Sequence, residues 1–309
     1  MKYSQWLDIW LENYVKPTSK IKTYTIYKQI VEKRLKPRLG EYELNEISPV
    51  ILQRYVTELL RQGNAITGTG LSANTVNGII TVIQNSLKIA CMIGESEKYI
   101  ADKIKRPKTS EKEVSCFMVA EQKKIERAVL ADKRQKMFGI VLCLYTGLRI
   151  GELLALTWKD IDFIKGTLSV NKTIHDGKDE NGCFCSIIGV PKTQSSVRNI
   201  PLPKQLVPLL QKLKKHSDSE YVISDKGKGI SIRVYQRNFS KLQERLNIPH
   251  KGFHALRHTF ATRALECGMD VKTLSEILGH KSATVTLNRY VHSMSDYKKE
   301  MMNKLGKLL

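Results

Sequence analysis

The stretch TGLRIGELLAL at residues 146–156 decides the fold of the second half of the chain. It follows an apolar segment that ends at Tyr145, and it places Arg149 and Glu152 three residues apart. Charged residues directly after an apolar segment are more than a packed core requires, and they indicate a functional site.

Two later stretches have the same character. HALRH places His254, Arg257 and His258 on one side of another helix. LGH, farther along the chain, ends at His280 and is followed ten residues later by Tyr290. Each stretch alone is a weak signal, but their order along the chain predicts one polar site built from three segments.

Apolar periodicity assigns four helices to the first hundred residues and predicts a compact helical bundle. The signals are Ser4 as the cap of the first helix, residues 22–36 with a stop at Pro37 for the second, Ser48 with Pro49 opening the third, and Ser72 opening the fourth. Residues 103–113 are polar and charged, with one proline and no apolar period, which is typical of a linker.

Beyond this segment the apolar period changes from helical to alternating and back. Helices are predicted over residues 120–129, 133–145, 204–214, 234–246, 254–267 and 271–278, and one small antiparallel sheet over residues 167–174, 183–190 and 197–201. Residues 175–182 are predicted to be a turn-rich connection. The predicted fold class is mainly α with a small antiparallel β-sheet: a helical domain at 1–104, a linker at 105–114 and a mixed α+β domain at 115–309.

The charge of the chain points to a polyanionic partner. Fifty-one Lys and Arg against 30 Asp and Glu leave a net charge of +21 and a pI near 9.7, which suits a protein that binds nucleic acid. Residues 1–110 carry 17 basic and 10 acidic residues, and the remainder carries 34 and 20. Since both halves are basic, two surfaces that close on DNA fit better than one basic tail.

Several classes of protein are excluded by the same sequence. The first residues mix Asp8 and Glu12 among apolar side chains and do not form a secretory signal. The longest apolar run, residues 139–148, is shorter than the roughly 20 residues of a membrane helix. Six Cys, scattered apart from Cys183 and Cys185, form neither a disulfide framework nor a zinc motif. We expect a cytoplasmic protein without a membrane segment.

Three segments in this order, TGLRIGELLALTWKDID, HALRHTFATRALECGMDVKTLSEILGH and NRY, resemble the signatures of the tyrosine recombinases, the phage integrase family. The helical first domain resembles the SAM-like core-binding domain of that family, so the resemblance covers nearly the whole chain. It implies a core-binding domain followed by a tyrosine-recombinase catalytic domain. Members often carry a further arm-binding domain, and too few residues precede Trp6 to form one, so we expect either a simpler member without it or a part of a longer chain.

The resemblance implies a role for each polar residue. Tyr290 falls on the nucleophile that attacks a DNA phosphodiester, and Arg149 and Arg257 fall on the two catalytic arginines. His254 matches the histidine that exchanges a proton with the tyrosine, and His280 matches the residue that contacts a non-bridging phosphate oxygen. The implied intermediate is a covalent 3′-phosphotyrosine, and this chemistry requires neither a cofactor nor a metal.

Two further positions are implied in the same way. Glu152 matches an acidic residue that supports the site, and Lys192 matches the lysine of the family's β-hairpin. A lysine at that place suits a general acid for the departing 5′ oxygen. Lys172 on the same hairpin and Arg198 nearby stay open as alternatives that act on the phosphate.

The residue types suit this chemistry. Attack on phosphorus spreads negative charge over the equatorial oxygens, which two permanently charged guanidinium forks can hold. A tyrosine with a pKa of about 10 is a poor nucleophile at pH 7 and profits from a neighbouring base.

Other interpretations stay open. His254 and His258 have the i, i+4 spacing of zinc ligands, but the Glu of H-E-x-x-H is missing and no third ligand is evident. The main expectation is an integrase of a phage or conjugative transposon. The alternatives are a Xer-like chromosome-dimer resolvase and a DNA-binding regulator that has kept the fold and lost catalysis.

The expected partners are double-stranded DNA and further copies of the chain. Residues 297–309 space Met301, Leu305 and Leu308 along one side of a helix, and such an apolar face is buried either on its own domain or on a neighbouring protomer. The resemblance favours the neighbour, in a homotetramer on two DNA sites. An accessory factor that sets the direction of strand exchange stays open as a further partner.

Overall fold

A computed structural model describes residues 1–64, 67–109, 115–132, 134–178, 184–189 and 196–290, together with residues 302, 303 and 306. The chain divides into two compact units, Met1–Lys112 and Glu113–Leu309, and each has its own apolar core. The domain limits given above, with a linker at 105–114, remain a prediction. Within the described ranges, no helix is both long and apolar enough to cross a membrane.

The first unit is a bundle of helices. Ser86 holds the first helix against the longest one, because its hydroxyl lies 2.7 Å from that of Tyr3 and its carbonyl accepts from the Trp6 indole at 3.1 Å. The helices are α1 Tyr3–Trp10, extended by a π-helical turn Leu11–Val15, α2 Ile21–Ile30, extended by a second such turn Val31–Leu35 into α3 Lys36–Leu39, α4 Pro49–Gln62 and α5 Ala73–Met92.

Two of the predicted helix starts are confirmed and two other signals are wrong. Ser48 and Ser72 each accept a hydrogen bond from the backbone N–H three residues later, at 3.3 Å. Ser4 is not a cap, because α1 begins one residue earlier and Ser4 lies in its first turn. Pro37 does not stop the helix, since it lies in the first turn of α3, where the missing N–H costs little.

The second unit is mainly helical. Its helices are α6 Val119–Leu130, α7 Phe138–Thr146, α8 Ile150–Ala155, α9 Leu206–Lys215, α10 Ile232–Arg245, α11 His254–Glu266, α12 Val271–Leu278 and α13 Ala283–Tyr290. Sequence periodicity did not predict α8 and α13. The first is six residues long, and the second contains the β-branched run Thr284, Val285 and Thr286, which has low helix propensity.

Within the described residues, the strands form three small antiparallel sheets rather than the one sheet predicted. The first has the order β1-β2-β5, with Leu168 of β2 opposite Ile200 of β5. In the second, Thr173 of β3 lies opposite Gly189 of β4. The strands are β1 Ile161–Asp162, β2 Thr167–Val170, β3 Thr173–Lys178, β4 Phe184–Gly189 and β5 Arg198–Pro201, with β6 Ser224–Asp225 and β7 Lys228–Gly229 as the third sheet.

The predicted strand at residues 167–174 is two strands that belong to different sheets. The chain leaves the first sheet at Asn171 and Lys172, whose side chains bind the carboxylate of Asp160 at 3.1 and 2.9 Å. An alternating pattern does not show this break, because the partner lies in an earlier segment. Residues 175–178, predicted as part of a turn, continue β3 and pair with β4.

Two left-handed glycines direct the chain into the polar stretches. α7 is almost entirely buried and ends at Gly147 with φ 65°, and α12 ends at Gly279 with φ 64°. A side chain is disfavoured in this conformation, so glycine is the residue that suits both turns. A Cβ atom on Gly147 would also lie 2.6 Å from the Phe260 ring and 2.8 Å from Leu278.

We expect Gly147→Ala to lower the free energy of unfolding by about 3 kcal/mol, about 1 from the left-handed backbone and the rest from overpacking. Gly268→Ala is the matched control, since Gly268 has φ 88° and no neighbouring atom within 4 Å of an added Cβ. Its expected loss is about 1 kcal/mol. Urea unfolding measures both, and equal losses would show that the contacts with Phe260 and Leu278 impose no constraint.

Candidate active site

The carboxyl end of α12 is bonded by three arginines. The last carbonyl groups of a helix lack partners within it and carry the negative end of its dipole. The last turn of α12 has no basic residue of its own, and arginines from other elements supply the donors. The bonds run from Arg198 Nε to Ile277 O at 2.5 Å, from Arg257 Nη2 to Leu278 O at 2.8 Å and from Arg149 Nη2 to Gly279 O at 3.3 Å.

Arg149 begins α8 and is held there by Glu152. The Arg149 backbone N–H donates to Glu152 Oε2 at 3.0 Å, and its Nη1 donates to Oε1 at 2.7 Å. The two residues that lie three apart in the sequence are therefore in contact in the structure. About a third of the Arg149 side chain, 36%, is exposed, so this guanidinium is accessible from solvent.

Glu152 is buried and is shared by a second arginine. Arg198, the first residue of β5, donates from Nη2 to Oε2 at 2.9 Å and from Nη1 to Oε1 at 3.2 Å. Burial alone would raise the pKa of Glu152, but its bonds to Arg198 and the charge of Arg149 outweigh burial and hold the pKa below its usual value. The carboxylate is therefore charged at neutral pH.

The sequence analysis did not predict that Arg198 binds Glu152. It named Arg198 only as an alternative contact for the phosphate, and four of its five guanidinium N–H groups are already bonded to protein acceptors, which disfavours that interpretation. Its partner Glu152 lies 46 residues away in the chain, and helical or strand spacing gives no signal over that distance. A basic residue that opens a strand of the core sheet is the one sequence feature that could have suggested a buried ion pair.

Arg257 is almost completely buried and links two turns of the unit. It is 1% exposed, and it donates to the Gly147 carbonyl from Nη1 and to the Leu278 carbonyl from Nη2, both at 2.8 Å. Nη2 also lies 2.9 Å from Nε2 of His280. Because a guanidinium has no acceptor, Nε2 accepts, the ring proton lies on Nδ1, and Nδ1 donates to the Thr286 hydroxyl at 2.7 Å.

His254 is the first residue of α11 and is exposed. Its ring packs edge to face on the ring of buried His258, with the centroids 4.5 Å apart. Within the described residues, no third His, Cys, Asp or Glu joins this pair as a group of metal ligands. The arrangement therefore gives no support to the zinc interpretation.

The remaining predicted residues are placed less fully. Tyr290 is the last residue of α13, the helix that carries Thr286. The structure describes the backbone of Tyr290 and not its side chain. Lys192 lies outside the described residues. The alternative lysine, Lys172, pairs with Asp160, and this bond disfavours a role for it in proton transfer.

The cluster that the structure brings together consists of Arg149, Glu152, Arg257 and His280, with Arg198 added. Three guanidiniums against one carboxylate leave a net charge of +2 before any histidine is protonated. The forks are fixed by carbonyl groups, so they are already oriented when an anion arrives. The arrangement is suited to holding a phosphate group.

Two family models match the chain. The model of the phage integrase family matches residues 109–296, and the model of the phage integrase N-terminal SAM-like domain matches residues 2–60. A protein named tyrosine recombinase XerC-like, from Caldanaerobacter subterraneus subsp. tengcongensis, is 32% identical over 98% of this chain and 82% of its own length. The ICEBs1 integrase of Bacillus subtilis is 28% identical over 94% of this chain and 79% of its own.

Solved structures share the fold. The integrase of transposon Tn1549, in complex with a circular intermediate DNA, superposes with a TM-score of 0.81 at 23% identity over 99% of both chains. A lambda integrase tetramer bound to a Holliday junction gives 0.69 at 21% identity over 92% of this chain and 79% of that one. These likenesses confirm the predicted fold class, mainly α with small antiparallel sheets.

We expect Glu152→Gln to lower the free energy of unfolding by about 3 kcal/mol at pH 7, because it removes the charge that two arginines share in a buried place. The lowered pKa of Glu152 makes its contribution complete above the unfolded pKa of about 4.3, and the contribution is lost as the pH falls through the folded value. The difference between wild type and variant in urea unfolding should therefore shrink below about pH 4.

The matched control is Glu266→Gln, since Glu266 pairs with Arg263 on the surface. Such a pair contributes at most about 1 kcal/mol. A loss of that size or less for Glu152→Gln would contradict the importance of the buried pair.

Proposed function

Because the chain belongs to the phage integrase family of tyrosine recombinases, we propose that it is a site-specific DNA recombinase that cleaves and rejoins strands through a covalent 3′-phosphotyrosine. The observation that carries the proposal is the cluster defined above, which surrounds the end of α12 and has a net charge of +2. A phosphodiester is an anion of the size and charge that such a cluster holds.

Cleavage is a phosphoryl transfer from DNA to Tyr290. The tyrosine oxygen attacks the scissile phosphorus, the bond from phosphorus to the 5′ oxygen breaks, and His254 takes the phenolic proton. Arg149 and Arg257 hold the non-bridging oxygens while negative charge develops on them. His280 joins them with a proton on Nε2, which then donates to an oxygen in place of accepting from Arg257. Lys192 gives a proton to the departing 5′ oxygen, which leaves as a hydroxyl.

Rejoining is the same transfer in reverse. A 5′ hydroxyl from a second DNA strand attacks the phosphotyrosine, and Tyr290 leaves with its proton restored. The phosphotyrosine retains the energy of the cleaved linkage, so exchange of strands consumes no nucleotide. Glu152 supports both steps through its bonds to Arg149.

The 28% identity with the ICEBs1 integrase favours one function, the integration and excision of a mobile genetic element in the bacterial cytoplasm. The 32% identity with the XerC-like protein favours a second candidate, resolution of chromosome dimers. An integrase joins two unlike sites, whereas a dimer resolvase exchanges strands between identical ones. Recombination of plasmids that carry like or unlike pairs of the DNA site discriminates between the two.

The proposed assembly is a homotetramer on two double-stranded DNA sites. Both units contribute to binding, because residues 1–110 and the remainder are each basic, with net charges of +7 and +14. The solved lambda integrase assembly on a Holliday junction is a tetramer. Residues 297–309, almost all outside the described residues, are proposed to dock on a neighbouring protomer, and an accessory protein is proposed to set direction.

We expect the protein to form an adduct with DNA that survives SDS, and Tyr290→Phe to abolish it. The probe is a set of duplexes with a randomised centre and a nick, because a short 5′ hydroxyl strand then diffuses away and rejoining is prevented. Adducts captured after SDS are sequenced to give the site. Binding without covalent attachment, measured by gel shift, should be unchanged in the variant.

Tyr145→Phe is the matched control, since it removes an exposed hydroxyl of the same unit that binds Glu126, and it should leave the adduct yield unchanged. Equal yields from wild type and Tyr290→Phe would exclude Tyr290 as the nucleophile. DNA binding by the wild type without any adduct would favour the regulator that has lost catalysis.

We expect deletion of residues 297–309 to leave binding of one protomer to one site intact and to abolish the tetramer that joins two sites. Apolar side chains at Met301, Leu305 and Leu308 supply the buried contact in the proposed assembly. Light scattering and gel shift on the selected duplex measure the two quantities. Tetramers of unchanged stability would place this segment on its own protomer.

A further inference from the structure

Arg198 is a buried cation that the proposed cleavage steps do not use. It donates to Glu152 from both terminal nitrogens, to the Ile277 carbonyl from Nε at 2.5 Å and to the Ser196 carbonyl from Nη1 at 3.0 Å. Only 6% of the side chain is exposed, and four of the five guanidinium N–H groups are bonded to protein acceptors. Its bonding pattern is that of a residue that positions another residue.

The net charge of the groups around Arg149 depends on this second arginine. If Glu152 were bonded to Arg149 alone, the pair would be neutral and would attract a phosphate weakly. With Arg198 the three groups have a net charge of +1. Arg149 is 36% exposed and Arg198 6%, so the surplus charge is accessible at Arg149. Glu152 can therefore hold Arg149 without cancelling its attraction for an anion.

The orientation of Arg149 depends on it as well. Glu152 Oε1 accepts from both arginines, at 2.7 Å from Arg149 and 3.2 Å from Arg198, so rotation of the carboxylate would break bonds to Arg198. Arg198 is itself anchored to the carbonyls of Ile277 and Ser196, which belong to separate segments of the unit. The carboxylate is thus a fixed support for Arg149.

We propose that Arg198 is a positioning residue for DNA strand cleavage, which acts through Glu152 to hold Arg149 toward a non-bridging oxygen of the scissile phosphate. The inference rests on the proposed function and adds to it a residue that touches no reacting atom. It also gives Glu152 a specific role: its carboxylate is fixed by Arg198 and in turn fixes the orientation of Arg149.

The first test is Arg198→Lys, which keeps the charge and loses the planar fork that binds Glu152 and two carbonyls. The single-turnover cleavage rate on the selected duplex should fall about 100-fold, the size expected when a catalytic group is misplaced by about 1 Å. The dissociation constant for the same duplex, measured in the Tyr290→Phe background, should not change. Arg263→Lys is the matched control, since Arg263 also binds a carboxylate and a carbonyl, outside the cluster.

The second test separates positioning from general loss of structure. A methylphosphonate at the mapped scissile position replaces a charged non-bridging oxygen with a methyl group, so neither a positive charge nor an oriented hydrogen-bond donor is needed at that place. The loss caused by Arg149→Lys should shrink on this DNA. The loss caused by Arg198→Lys should shrink with it, to less than about tenfold, because Arg198 acts through Arg149. A merely structural defect would slow cleavage of both DNAs equally.

Three results overturn the proposal: an unchanged rate for Arg198→Lys, equal losses on the two DNAs, or a loss of affinity that explains the slow cleavage. If Arg198→Lys does not fold, a double variant with Arg198→Gln and Glu152→Gln is made instead. It removes both charges of the buried pair, so no unpaired carboxylate is left in the core. The double variant should then cleave within about tenfold of Glu152→Gln, and a further loss of about 100-fold overturns the route through Glu152. A wild type without a Tyr290-dependent adduct would instead defeat the proposed function.

Discussion

The carboxyl end of α12 is the constraint on which the polar site of the second unit depends. Its consecutive carbonyl groups at residues 277–279 have no partners within the helix, and each binds an arginine that another element supplies. Arg198, Arg257 and Arg149 lie 79, 21 and 130 residues from their acceptors. The three forks therefore acquire their spacing only when the whole unit has folded, and the backbone of one helix then fixes that spacing.

The bonds to the carbonyl groups hold the three arginines together against their electrostatic repulsion. Three guanidiniums gathered around one helix end repel one another, and the single buried carboxylate of Glu152 compensates only part of their charge. The carbonyl groups hold the cations in place without neutralising them. A phosphodiester that enters the cluster supplies the missing negative charge, so the cluster is more stable with its substrate than without it.

The sequence predicted local features well and distant ones poorly. Ser48 and Ser72 cap their helices as expected because capping involves neighbouring residues. Pro37 lies inside a helix because a π-helical turn precedes it, which no single-residue preference shows. The break in the strand at residues 171–172 and the burial of Arg198 both depend on carboxylates from earlier segments, and the family signatures gave the roles that local spacing could not.

The change of sheet at residues 171–172 also separates the strand that positions Arg198 from the strand that belongs to the hairpin. β2 is paired with β5, and Val170 opposite Arg198 fixes the place of that arginine, whereas β3 is paired with β4. A residue gained or lost within β2 turns its side chains to the opposite face and displaces Arg198. A residue gained or lost between the end of β3 and the start of β4 leaves that register unchanged. The hairpin can therefore vary in length through evolution while the support of the polar cluster is preserved.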